Sequence, residues 1–74
     1  MSRWPVLSGR KIIKALEGLG YYKVRQTGSH VRLHCQGRRS VTVPDYSVIG
    51  RGLLRKILRD AELTPDEFGK LLKS

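Results

Sequence analysis

The period of the apolar positions along the chain switches from helical to alternating and back to helical, and these switches and the breaks within each stretch mark the elements. Ile12, Ile13, Leu16 and Leu19 recur at helical spacing. Ser8 precedes them as an N-cap, with Leu7 and Ile12 placed to form a hydrophobic staple, and Gly20 follows as a C-terminal stop. The spacing predicts a first helix over Gly9–Leu19. Period two then takes over. Tyr22, Val24 and Gln26 alternate with Tyr21, Lys23, Arg25 and Thr27, and His30, Arg32 and His34 alternate with Val31, Leu33 and Cys35. Between these runs Gly28-Ser29 has glycine first, as a type II′ hairpin turn requires. Gln36-Gly37-Arg38 breaks the alternation again. Arg39, Val41 and Val43 then alternate with Ser40 and Thr42, until Pro44 ends the third strand. Leu53, Leu54, Ile57, Leu58 and Ala61 predict a second amphipathic helix over about Arg51–Ala61. Thr64-Pro65-Asp66-Glu67 carries a cap, an N1 proline and a capping box, so a short third helix follows over about Pro65–Leu72. The order α-β-β-β-α-α implies an α+β domain in which a three-stranded antiparallel meander has its helices on one face.

Parity sets the expected register. A tight turn at Gly28-Ser29 pairs Thr27 with His30, Arg25 with Arg32, Lys23 with His34, and Val24 with Leu33, so that each apolar pair shares a face. In the second hairpin a loop over Gln36–Arg38 sets Leu33 against Val41 and Val31 against Val43. The face away from the helices is then expected to display Lys23, Arg25, His30, Arg32, His34, Ser40 and Thr42.

Length and charge narrow the functions available. Seventy-four residues supply one domain with one small core, which excludes a two-domain enzyme. We expect residues 8–72 to form the folded core and residues 1–7 an N-terminal extension, with Trp4 packed at the core edge or unstructured rather than serving as a base-stacking platform. No apolar run reaches membrane-spanning length, and the first residues lack the apolar stretch of a secretory signal. Cys35 is the only cysteine, so no internal disulfide or four-cysteine zinc site can form, in keeping with a reducing cytoplasm. Fifteen Lys and Arg face six Asp and Glu, for a formal charge of +9. The excess lies in residues 1–59, where 13 basic side chains meet only Glu17 and Asp45. Such a domain is suited to a polyanion, with nucleic acid ahead of an anionic membrane surface.

Two features of the cationic face carry chemistry. Arg25 opposite Arg32 is a like-charge pair that costs a few tenths to about 1 kcal/mol, a cost offset when a phosphate bridges the two guanidiniums. His30 follows the Gly28-Ser29 turn at the end of that face, where a side chain is exposed and a backbone can approach. An imidazole moves protons near neutral pH and can take the proton of a ribose 2′-hydroxyl while nearby cations stabilise the charged phosphate. His34 lies four residues further along, roughly 13 Å at about 3.3 Å per residue, too far to share one phosphate with His30. It is read as a positioning contact or a bystander. The acid partner stays open among Tyr46, Tyr21, a lysine and water. The scattered carboxylates do not suggest a two-metal nuclease centre. Gly50-Arg51-Gly52 lacks the spacing of a phosphate-binding P-loop, and the Arg51, Arg55, Arg59 stripe suits a phosphate backbone, an acidic partner or water equally.

Several of these segments together resemble the HicA toxins, also called the YcfA-like family. They are Ser8 to Leu16 opening a helix, Gly20-Tyr21, Arg25-Gln26-Thr27-Gly28-Ser29-His30, Val41-Thr42-Val43-Pro44, and Gly52 to Leu58. The resemblance covers about residues 8–72, and Gly28-Ser29-His30 is its most specific part. It implies a double-stranded-RNA-binding-domain-like fold and endoribonuclease action on mRNA, with His30 as the catalytic residue, and we expect the reaction to use no metal or other cofactor. Lys23, Arg25, Ser29, Arg32, His34 and Tyr46 are then expected to contact RNA, with Gly28 and Ser29 shaping the turn. The implied partner is a HicB-like antitoxin, with the free toxin a monomer and the pair a hetero-oligomer. Two positions depart from the family pattern. Pro44-Asp45-Tyr46 places a tyrosine where many members carry a second histidine, and Glu62 stands where a glycine often ends the second helix. The competing functions are a non-catalytic double-stranded-RNA-binding module, docking through helix 1, an inter-strand loop and the start of helix 2, and a domain that binds only an acidic protein partner.

Overall fold

The computed structural model describes residues 6–73, and the reading made for Trp4 lies outside them. The elements run α1 (Gly9–Leu19), β1 (Tyr22–Thr27), β2 (His30–His34), β3 (Val41–Pro44), α2 (Arg51–Asp60) and α3 (Pro65–Leu72). They form an α+β domain whose three antiparallel strands lie in the order β1-β2-β3, the α-β-β-β-α arrangement of a double-stranded-RNA-binding domain followed by one more helix. Among the described residues no helix is long and apolar enough to cross a membrane.

Local chemistry sets the ends of the elements. The Ser8 hydroxyl accepts the Lys11 N–H at the start of α1, and Gly20 stops that helix with φ +123°. The Thr64 hydroxyl accepts the Glu67 N–H while the Glu67 carboxylate accepts the Thr64 N–H, the reciprocal capping box that starts α3. α2 ends in a left-handed residue: Glu62 has φ +60°, and the Leu63 N–H reaches back to the Leu58 carbonyl at 2.9 Å. That closure belongs to glycine in most helices. At the hairpin tip Gly28 has φ +60° while Ser29 does not have positive φ, the sign pattern of a type II′ turn.

One side of the sheet makes the core. Val31, Leu33, Val41 and Val43 face Ile12 and Leu16 of α1, Leu54, Ile57 and Leu58 of α2, and Phe68 of α3, all of them buried. α1 and α2 pack across β3, and α3 packs against α1. Leu7 is buried as well and bridges to Ile49, which pins the segment before α1 to the loop before α2. β1 lies beyond the cover of the helices, and all six of its residues are exposed.

The second hairpin has the expected register, Leu33 with Val41 and Val31 with Val43. The first does not. Thr27 pairs with His30 and Arg25 with Arg32, but then the ladder slips, so that Lys23 faces Leu33 and Tyr22 faces His34. The expected pairs of Lys23 with His34 and Val24 with Leu33 are therefore incorrect. The cause lies one residue before the strand. Tyr21 is buried in the core and donates its hydroxyl to the Arg39 carbonyl at 2.6 Å. With Tyr21 turned inward, strict alternation would send Arg25 inward too. A bulge at Val24 absorbs the extra residue and returns Arg25 to the outer face.

Candidate nucleic-acid interface and its histidine

The outer face of the sheet is built by residues of even number in β2 and β3 and by those that register with them in β1. At its centre Arg25 stands opposite Arg32, and the Arg32 guanidinium donates to the Thr42 hydroxyl at 2.9 Å. At one end His34 lies within 3.2 Å of the Ser40 hydroxyl, with its ring edge-on to Tyr22 at a centroid distance of 5.6 Å. At the other end His30 heads β2, exposed, immediately after the turn. Its ring meets that of Tyr46 edge-on, with centroids 6.4 Å apart and planes at 72°.

Tyr46 reaches His30 because the loop after β3 is held from both sides. The Asp45 N–H donates to the Ser29 carbonyl at 2.6 Å, joining that loop to the hairpin tip. The Gly9 N–H donates to the Tyr46 carbonyl at 2.8 Å, joining it to the first turn of α1. The approach is close enough that a Cβ at position 9 would coincide with the Pro44 carbonyl. An exposed ion pair between Arg10 and Asp45 at 3.8 Å adds little to this.

Most of the expected site residues share this face. His30, Arg25, Arg32 and His34 lie on it, Tyr46 stands beside His30, and Gly28 and Ser29 form the turn below. Gly28 also accepts a hydrogen bond from the Gln26 amide at 3.1 Å. Lys23 is the exception. It registers with Leu33 and its ammonium points to Gln26 at 3.4 Å, so it belongs with the opposite face. Tyr22 occupies the place by His34 that parity assigns to Lys23, and parity alone does not put it on this face. The signal was the tandem Tyr21-Tyr22, since adjacent residues in a strand face opposite ways and only one of them could join the core. Tyr21 is no longer a candidate acid. Its phenol is engaged with Arg39, and burial, with Cys35 beside it, pushes its pKa above the usual tyrosine value. Among the described residues no three or more His, Cys, Asp or Glu come together as a metal-binding group.

A small α+β domain with a histidine at the rim of a basic sheet face is the class that fold and site define. The sequence matches the family model described as "HicA toxin of bacterial toxin-antitoxin" over residues 9–63, and the chain belongs to that family. It is also similar to one chain of a solved structure, "Toxin-Antitoxin complex from Streptococcus pneumoniae", at 28% identity and a TM-score of 0.68. That similarity spans 77% of this chain and 98% of the other. No curated protein matches the sequence.

Proposed function

We propose that this chain is the toxin of a toxin–antitoxin pair and acts as an endoribonuclease on mRNA, without a metal, through the single catalytic histidine His30. The observation that carries this reading is the exposed His30 ring beside Tyr46, on the face that also holds the Arg25–Arg32 pair. His30 and Arg32 are two residues apart on one strand, about 7 Å, so one phosphodiester can meet both. His30 takes the proton of the ribose 2′-hydroxyl. That oxygen attacks the adjacent phosphorus, the bond to the 5′-oxygen breaks, and the products are a 2′,3′-cyclic phosphate and a free 5′-hydroxyl. Arg25 and Arg32 stabilise the charge gathered on phosphorus in between. The leaving oxygen takes its proton from Tyr46 or from water. The HicB-like partner of this reading is an acidic antitoxin that covers the same face, and the charge complementarity that steers RNA to the site would steer the antitoxin too.

The test is cleavage of RNA by purified protein in excess chelator. Wild type should cleave, and His30→Ala should lose about 10²- to 10⁴-fold in rate, the range for removal of a general base. Equal rates in the two proteins would remove the catalytic role. A non-catalytic module that docks on duplex RNA through α2 would instead be insensitive to Arg25→Ala and Arg32→Ala and would lose binding with Arg51→Ala.

A further inference from the structure

The slip in β1 places a second tyrosine–histidine pair on the outer face, at the far end of β2 from His30. We infer that Tyr22, braced by His34, is a base-stacking subsite for single-stranded RNA, separated from the reacting phosphate by the arginine pair. This deepens the ribonuclease reading by naming the form of the substrate and a second contact for it.

Four observations support the assignment. Tyr22 is 53% exposed although aromatic, on a face whose other side chains are mostly polar. Its ring is held in place, edge-on to His34 at 82°, and His34 is itself anchored to Ser40. A fixed aromatic ring loses little conformational freedom when a base settles on it. His34 and His30 are four residues apart, about 13 Å along the strand, a span that an extended single strand of roughly two or three nucleotides covers. Between the two rings stands the Arg25–Arg32 pair, where the linking phosphate would pass. Aromatic rings that flank cationic side chains on an open sheet suit unpaired bases, whose faces are free to stack. A duplex hides those faces and offers this surface only phosphates.

The bulge ties the subsite to the fold. Without it Lys23 would stand beside His34 and Tyr22 would face the other way. The strand gives up one ladder position and gains a stacking surface in line with the arginines.

The experiment measures binding separately from cleavage. A fluorescein-labelled RNA of about ten nucleotides, 2′-O-methylated throughout, cannot be cut because its nucleophile is blocked. Its affinity is read by anisotropy for wild type, Tyr22→Phe and Tyr22→Thr. Threonine keeps the strand preference and removes the ring, so the fold is retained, and matching circular dichroism melts check this. Tyr22→Phe should bind within about threefold of wild type, and Tyr22→Thr about 5- to 150-fold more weakly, the loss expected for one stacked base. The same oligonucleotide annealed to its complement should bind wild type more weakly and should not distinguish the variants. Equal binding of the single strand by Tyr22→Thr and wild type, or absence of binding by wild type, overturns the subsite. If Tyr22→Thr binds as wild type while unmodified RNA is still cut in a His30-dependent way, the subsite fails and the nuclease stands. If binding depends on Tyr22 and no cleavage occurs, the nuclease fails and the subsite stands.

Discussion

Gly9 and Gly18 sit in the same helix, and replacing each with alanine should have opposite effects. A Cβ on Gly9 would coincide with the Pro44 carbonyl, with Asp45 close behind. Backbone on both sides leaves no flexible group to move aside, so α1 must shift away from the loop after β3. Overpacking of this kind costs about 1–3 kcal/mol. The shift also stretches the 2.8 Å hydrogen bond from the Gly9 N–H to the Tyr46 carbonyl, worth about 1 kcal/mol. Against this, alanine gains about 0.5–1 kcal/mol over glycine in a helix. The net expectation is a loss of about 2 kcal/mol. For a domain of this size that lowers Tm by roughly 8–16 °C. Gly18 has nothing within 4 Å of its would-be Cβ, so Gly18→Ala should keep only the helix term and raise Tm by roughly 2–8 °C. Thermal melts followed by circular dichroism in one buffer give both values. Two-dimensional NMR adds a local readout: the His30 and Tyr46 ring resonances should move in Gly9→Ala and stay in place in Gly18→Ala. A Gly9→Ala protein as stable as wild type would refute the reasoning, because the close approach of α1 to Pro44 could not then be real.

Two further outcomes follow from the helix ends. Glu62 closes α2 with φ +60°, a conformation that costs a side-chain-bearing residue about 1 kcal/mol; Glu62→Gly should therefore raise Tm by roughly 4–8 °C, and an unchanged or lower Tm would count against the strained cap. The Glu67 carboxyl is held below its ordinary value of 4.5 by hydrogen bonds from the Thr64 backbone and hydroxyl. A depressed folded pKa means stability that is full above pH 4.5 and lost as pH falls through the lower folded value, so an NMR titration should give a Glu67 midpoint below 4.5 in wild type and nearer 4.5 in Thr64→Ala.

The parts of the molecule legible in the sequence are those decided by neighbouring residues. Ser8, Gly20, Thr64 and Pro65 marked helix ends because capping chemistry is local. Gly28 marked the hairpin because few other residues adopt positive φ. The second register followed from parity, since Val31, Leu33, Val41 and Val43 form an unbroken apolar set. The first register failed where parity is ambiguous. Tyr21 and Tyr22 both suit a strand, and only the packing of Tyr21 under the helices, with its hydroxyl on Arg39, decides which one faces inward. Lys23 was misplaced, and Tyr22 overlooked, for that single reason. Tyr46 stands among the acids the sequence offers for His30, but the choice between it and Tyr21 rests on α1 docking against the Pro44 backbone, a contact between residues 35 positions apart.

The Tyr46 position is held by its main chain. Its carbonyl is bound by the Gly9 N–H, and the amide of its neighbour Asp45 is bound to the hairpin tip, so backbone hydrogen bonds on both sides fix where residue 46 stands. Evolution can therefore exchange the chemistry offered beside His30 without rebuilding the scaffold. On the proposed ribonuclease reading, imidazole and phenol become interchangeable fittings on one mount, differing in the proton they offer while the backbone around them stays the same.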